Sequence, residues 1–495
     1  MFSRNRKSAR LFNIPMIFRV IGFLLTIESA FMLIPLVTTI IYEEEDFWAF
    51  LITFCVTLAA GVLLTTAIRP ARSDFGKRGG YLLTVMTWIL FTLFGMIPYL
   101  ISSTPQHFNV AFFETISGFT TTGATVLPSV EVLSHGLLIW RCLTQWMGGM
   151  GIILFTIAVL PMLSSSGGLQ LFNAEVTGIT HEKLRPRIGQ TAKGLWFVYI
   201  ILTAAMCITL CCGPMDFFDS LCHSFSGMAT GGFSTRDAGI EAFGGHYNKI
   251  VFSIFLFISG TNFSLIYRTV RLNRRALFAD ETFRTYICVV VVAFIASFIS
   301  ISYLNPSTPF VDVTVNTLFH TVSTASGTGH LIDGYQNWGA FAMTITFILM
   351  FFGACAGSTT GAVKLDRIIC LAKNCRNEIT RAIRPNRVMT VRLNKNVLPT
   401  HMVNKVIIFI CLFALSTIAG GLILTAMGVP LIDSVFSAFS CITNVGFGSG
   451  ITGYGAGGYE IIPDAGKWVL ALLMLIGRLE IFTILVLFTP SFWKK

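Results

Sequence analysis

Four stretches decide how this chain folds: FNVAFFETISGFTTTGAT (108–125), MDFFDSLCHSFSGMATGGF (215–233), VDVTVNTLFHTVSTASGTG (311–329) and LIDSVFSAFSCITNVGFG (431–448). Each opens with about a dozen mostly apolar residues, short of the roughly 20 that a helix needs to cross a hydrocarbon core. Each ends in a run of Thr, Ser, Asn and Gly that packs poorly. Lined up on one glycine each, Gly123, Gly231, Gly327 and Gly446, they share a plan. A proline (Pro105, Pro214, Pro309, Pro430) lies 16 to 18 residues upstream. An Asn or Asp between proline and glycine (Asn109, Asp216, Asp312, Asp433) is expected to cap a short helix by accepting from its free N–H groups. Each unit therefore reads as turn, cap, about three turns of helix and a polar loop. Four such units in one chain define a repeat architecture.

The rest of the chain is membrane-like. Of 495 residues, 54% are hydrophobic and 12% charged, whereas soluble domains carry about 25% charged residues. Apolar spans are expected at 17–41, 47–67, 81–103, 136–163, 192–213, 247–270, 284–304, 339–370, 401–428 and 466–490. The first is too long for a signal peptide and lacks a small-residue cleavage site, so it reads as an anchor. Ten alternating spans place both termini and the great majority of the 35 Lys and Arg residues on one side, while Glu43-Glu44-Glu45-Asp46 opens the other. This is the positive-inside pattern, with both termini cytoplasmic. It accounts for the net charge of +11 without any nucleic acid.

The twelve cysteines are scattered through apolar spans without CxxC spacing, as inert buried thiols would be. His223, His320 and Cys222 lie on different short helices and suit pore-helix packing better than zinc. No constellation of nucleophile, base or metal ligands suggests an enzyme, and no organic cofactor is expected. The GxGxxG spelled by Gly453, Gly455 and Gly458 has neither the preceding strand nor the immediate helix that dinucleotide binding requires.

The architecture is thus all-α and membrane-integral. Four helix–pore helix–loop–helix repeats (76–190, 191–280, 281–398, 399–495) surround one pore and follow an extra two-helix unit (1–75). Irregular backbone at membrane depth survives only inside protein or beside a water-filled cavity, and four such loops make the cavity. Four short helices can also turn their negative C-terminal ends toward its centre, which favours a cation. The loop residues Thr121, Thr122, Gly123, Ala229, Thr230, Gly231, Ala325, Ser326, Gly327, Asn444, Val445 and Gly446 are uncharged. Backbone carbonyls rather than carboxylates are then the expected ligands, as in filters for alkali cations. Asn444-Val445-Gly446-Phe447-Gly448 even approaches the TVGYG loop of potassium channels.

These loops, together with SGFTTTGAT, QWMGGMGIILFTIAVLPML, GGLQLFNAE, LRPRIGQTAKGLW, GGFST, CAGSTTGAVK and GRLEIFTILVLFTPSFW, resemble the Trk/Ktr/HKT superfamily of cation transporters. Within it, the likeness is to the membrane subunits of bacterial Trk potassium uptake systems. The resemblance implies K⁺ as the transported ion, a glycine in each of four filters, residence in the bacterial inner membrane and a homodimer embedded in lipid. It also implies a cytosolic nucleotide-binding (NAD- or ATP-type) regulatory subunit, docked on the face that carries the basic connection 364–395. Flux of either a channel-like or a symport kind is compatible with it. The potassium-translocating subunit of a primary active pump shares the repeat, but the two extra N-terminal helices and the Arg478 helix favour the Trk branch.

The same resemblance maps a gating loop onto Gly353, Ala354, Cys355, Ala356, Gly357, Ser358, Thr359, Thr360 and Gly361, continuing through Val363. Small residues inside an apolar span break a helix, although they also serve close helix packing. The family pattern is richer in glycine where this chain has Thr360 and Ala362, which implies a stiffer loop. Arg478 sits inside the last span, where a charge costs about 2.5–3.5 kcal/mol and so faces a cavity or partner. The resemblance places it beside the gating loop. Glu480, two residues on, cannot be its helix-face neighbour.

Overall fold

The computed structural model describes residues 12–68, 76–104, 106–151, 188–271, 274–330, 332, 334–394, 396–453 and 458–494. The later part of the span expected at 136–163, the GGLQLFNAE segment and Pro105 lie outside them.

Among the described residues the chain is all-α apart from two short two-stranded pairings. Six described helices are long and apolar enough to cross a membrane, and bent helix pairs bring the number to eight. The opening unit is Ile14–Ile41, interrupted at Met32, followed by Phe47–Ala67. Gly22 and Gly61 let these two helices touch, because a Cβ on either would lie 2.8 Å or less from the other helix. The acidic run between them fastens this unit to the first repeat. Glu44 accepts from the backbone N–H groups of His135 and Gly136 at 2.6 and 3.0 Å, and Asp46 from that of Ser103 at 2.6 Å. Carboxylates at the start of the His135–Trp146 helix also suit its dipole.

Each repeat then begins with a long helix: Lys77–Gly95, Ile188–Cys211, Glu281–Leu304 and Thr400–Ala426. The pore helices follow at Phe108–Phe119, Phe217–Met228, Phe310–Ala325 and Leu431–Thr443. Exposed apolar residues on the long helices, such as Val292, Ile299, Leu415 and Leu422, form the face that meets lipid.

Only one of the four expected caps is a cap. Asp216 accepts from the backbone N–H of Asp219 at 2.7 Å. In the third and fourth repeats Pro309 and Pro430 hold the N-cap position, with φ of −54° and −53°, and Asp312 and Asp433 fall in the first turn. In the first repeat the cap is His107, and Asn109 accepts from the adjacent Val110 N–H. Proline fixes φ for the turn into the helix, so the acid is free to sit three positions inside, in the first turn, where the dipole still favours it.

The second helices hold a larger surprise. A break is expected in the third repeat alone, yet among the described residues all four depart from a continuous α-helix. The first passes into a π-turn at Met147–Gly151. The second bends by 92° between Tyr247–Ser259 and Phe263–Arg271. The third opens into a loop between Ala340–Phe351 and Leu365–Ile383. The fourth bends by 109° between Asp464–Arg478 and Phe482–Phe488. Glycine marks these breaks because backbone crowds them. A Cβ on Gly148 would lie 1.9 Å from the Phe119 carbonyl oxygen, and one on Gly477 would lie 2.0 Å from that of Ile442. Phe119 and Ile442 are equivalent positions at the ends of the first and fourth pore helices.

Candidate functional site

The four pore helices end in the same backbone turn. A left-handed residue closes each, just past the C-cap in the first three and at the C-cap in the fourth: Thr121 (φ 53°), Thr230 (55°), Gly327 (70°) and Asn444 (56°). The residue after that returns its N–H to a serine carbonyl five positions back. The pairs are Thr122 to Ser117, Gly231 to Ser226, Thr328 to Ser323 and Val445 to Ser440, each at 2.9–3.1 Å. Next comes a glycine at positive φ: Gly123 (80°), Gly232 (82°), Gly329 (78°) and Gly446 (86°).

This fixes the register of the repeats and shifts two of the sequence alignments. The partners of Gly123 and Gly446 are Gly232 and Gly329, one and two residues beyond Gly231 and Gly327. Both loops carry two glycines, and in each it is the second that closes the ring. Gly231 occupies the position of Thr122 and Val445, and Gly327 that of Thr121 and Asn444.

In the corrected register the loops close a ring. A Cβ on Gly123 would lie 2.1 Å from the Gly231 carbonyl oxygen, and one on Gly232 would lie 2.2 Å from that of Thr328. The same contact is 1.9 Å from Gly329 to Val445 and 1.8 Å from Gly446 to Thr122. Each glycine thus leaves open the space that the next repeat's carbonyl oxygen fills, in the order one, two, three, four and back to one. No side chain fits at any of the four, both for the contact and for the positive φ. Asn444 Nδ2 seals the junction of repeats four and one, donating to Thr122 Oγ1 and to the Met474 carbonyl, each at 3.0 Å.

The ring is braced from behind. Gln145 donates to the Gly231 carbonyl at 2.7 Å and accepts from the Phe233 N–H. Tyr335 and Tyr459 hydroxyls donate to the carbonyls of Gly448 and Phe447. Glu114 and Arg141 form a fully buried ion pair at 3.2 Å, with Glu114 also accepting from the N–H of Val126 and Arg141 lying 4.1 Å over the Phe233 ring. Removing one member of such a pair costs about 3–5 kcal/mol, because the other charge is left buried alone. His223 bonds to the Asp219 carbonyl and Ser234, and His320 to Thr346, so both histidines serve pore-helix packing. Above the ring opens a cavity of about 340 Å³, lined by all four ring glycines together with Arg141 and Asp237.

Below the ring lies the loop of the third repeat. Its ends are joined by a short parallel pairing of Phe352–Gly353 with Val363–Lys364. Gly260 and Phe263, at the bend in the second repeat, bond to it through Cys355 and Gly357. The loop touches three of the four ring segments. Thr230 Oγ1 donates to Thr359 Oγ1 at 3.2 Å. A Cβ on Gly327 would lie 3.6 Å from Thr360 Cβ, and one on Gly361 would lie 2.7 Å from the Thr443 carbonyl oxygen. The φ of Ala362 is 58°, a conformation that glycine adopts at less cost.

Arg478 ties the loop to the first repeat. Its guanidinium donates to the Thr359 carbonyl at 2.7 Å and to the carbonyls of Gly148 and Gly149 at 2.7 and 3.0 Å. Glu480 is left-handed (φ 52°) at the bend and pairs with Arg367 at 2.5 Å, while Arg367 lies 4.0 Å over the Phe409 ring. This pair joins the helix leaving the loop to the bend that carries Arg478. Sequence reading missed it, since the partners are 113 residues apart. It also missed Lys364, which is 1% exposed at the end of the loop.

An all-α membrane protein whose four re-entrant segments close a ring, with a loop pinned across its inner side, belongs among the ion-conducting membrane proteins. The TrkH family of cation transport proteins matches residues 47–495. The chain is 37% identical over 482 residues to the Trk system potassium uptake protein TrkH of Escherichia coli K12, covering 96% of this chain and 99% of that one. It is 30% identical over 477 residues to TrkG of the same organism, covering 96% and 97%. The crystal structure of the potassium transporter TrkH from Vibrio parahaemolyticus superposes with a TM-score of 0.88 at 32% identity, covering 97% of this chain and all of that one. The chain belongs to the TrkH family of cation transport proteins, and is a transporter rather than an enzyme.

Proposed function

We propose that the protein carries potassium into the bacterial cell across the inner membrane. The observation that carries this reading is the cyclic closure of Gly123, Gly232, Gly329 and Gly446 against their neighbours' carbonyl oxygens. Carbonyls of these segments replace the hydration shell of K⁺, and the short helices that end at the ring add their negative ends. The relatives' names as potassium uptake proteins support K⁺ as the ion.

The loop from Gly353 to Gly361 is the gate, and Arg478 is its bolt. A guanidinium beneath the ring both holds the loop and repels an oncoming cation. The basic connection after the loop docks a cytosolic nucleotide-binding regulator. Support comes from the Leu365–Ile383 helix, which runs directly from the loop and exposes Arg376 and Arg381. Movement there reaches the gate through Arg367 and Glu480. The homodimer rests on the family resemblance, and the cytoplasmic termini on the basic connections.

Rescue of a potassium-uptake-deficient bacterial strain tests the function. The chain expressed with its regulatory partner restores growth at low K⁺. A well-expressed chain with its partner that fails to do so contradicts the proposal.

A further inference from the structure

The third repeat carries a cation of its own beneath the ring. Lys364 is buried, and all three of its ammonium protons are engaged by loop oxygens. It donates to Thr360 Oγ1 at 2.7 Å, to Ser358 Oγ at 3.3 Å and to the Thr360 carbonyl. No carboxylate is among these partners. Three neutral oxygens, two hydroxyl and one carbonyl, make a ligand set suited to any monovalent cation of ammonium or potassium size. The set is built rather than incidental. Ser358 and Thr360 hydroxyls bond to each other at 2.8 Å, and Ser358 also donates to the Cys355 carbonyl at 2.6 Å. The lysine backbone is fixed by its pairing with Gly353. Thr360 faces Gly327, and the adjacent Thr359 is bonded to Thr230, so the site adjoins the ring.

We propose that the Lys364 ammonium is a tethered competitor of the transported ion, filling a three-oxygen monovalent-cation site in the loop while the pore is closed and leaving it when the loop moves. The proposal rests on the reading of this loop as the gate. Arg478 and Lys364 then divide the labour. The arginine bolts the loop to the first repeat, and the lysine occupies the place where an ion leaving the ring finds its next oxygens.

The test uses the full chain in proteoliposomes without a regulatory partner, with Rb⁺ flux as the readout. Lys364→Ala and the isosteric, uncharged Lys364→Met are each expected to raise basal flux by about tenfold. Propylammonium, which restores a primary ammonium to the space opened in Lys364→Ala, is expected to reverse most of that rise. It is expected to act much less on the leak of Arg478→Ala, where the native lysine still holds the site. A packing role for Lys364 predicts no such rescue. If Arg478→Ala leaks while monodisperse Lys364→Ala and Lys364→Met do not, the lysine proposal falls and the gate reading stands. Equal action of propylammonium on both leaks also overturns it. If none of the variants leaks, the gate reading fails and takes this inference with it.

Discussion

Gly329→Ala abolishes potassium preference, whereas Gly327→Ala two residues earlier leaves it nearly intact. At Gly329 the new Cβ would lie 1.9 Å from the Val445 carbonyl oxygen, at a φ of 78°. Neither the neighbouring carbonyl nor the local backbone can yield without opening the ring. Overpacking and left-handed strain each cost about 1–3 kcal/mol, and at this position they add. Since about 1.4 kcal/mol is a tenfold change, a K⁺-over-Na⁺ preference falls by at least that factor. At Gly327 the nearest atom to a new Cβ is 3.6 Å away, and Thr121, Thr230 and Asn444 already hold the equivalent left-handed conformation with side chains. The cost there is only about 1–2 kcal/mol of backbone strain. Gly232→Ala behaves like Gly329→Ala, because its Cβ would meet the Thr328 carbonyl oxygen at 2.2 Å. Competitive Rb⁺ uptake in the presence of Na⁺ checks all three. A normal preference in Gly329→Ala, or its loss in Gly327→Ala alone, contradicts the corrected register.

That register shows where sequence reading stopped. Four half-spans ending in glycine were plain in the sequence, and with them the fold. Choosing among the glycines of ATGG and ASGTG needed a second fixed point. Ser117, Ser226, Ser323 and Ser440, each six residues before the ring glycine, supplied one that was overlooked. Their carbonyls accept the bonds that shape the turn, so spacing from serine reports the backbone more faithfully than the spelling around glycine. The breaks in the second helices were hidden for another reason. An apolar run with a Gly148-Gly149 or Gly260 inside it has the same composition whether regular or broken, and the break follows from what packs against the glycine, the Phe119 carbonyl at Gly148 and the Tyr286 ring at Gly260. The Arg367–Glu480 pair and the oxygens around Lys364 exist only once the chain is folded.

Arg478→Ala produces a leak. Among the described residues, the native guanidinium donates to three carbonyl oxygens at membrane depth at 2.7–3.0 Å, one in the loop and two in the first repeat. Hydrogen bonds to a charged group contribute about 1.5–3 kcal/mol each. Loss of the single bond to Thr359 therefore raises the open population by about tenfold or more, before the removed positive charge is counted. Rb⁺ flux through the reconstituted variant without its partner reads this out, and regulation by the partner weakens in parallel. Arg478→Lys keeps the charge but not the fork that spans Thr359, Gly148 and Gly149, so it leaks less than the alanine variant and more than the native chain. A tight, fully regulated Arg478→Ala removes the residue from the gate.

The central claim is that four glycines in register make one potassium filter. Its most direct test is the relative flux of K⁺, Rb⁺ and Na⁺ through the native chain, purified and reconstituted with its regulatory partner in the activating nucleotide. The ring predicts K⁺ and Rb⁺ passing at similar rates, and Na⁺ slower by about tenfold or more, as carbonyl filters discriminate. Equal passage of Na⁺ and K⁺ through a well-folded, regulated protein would contradict it.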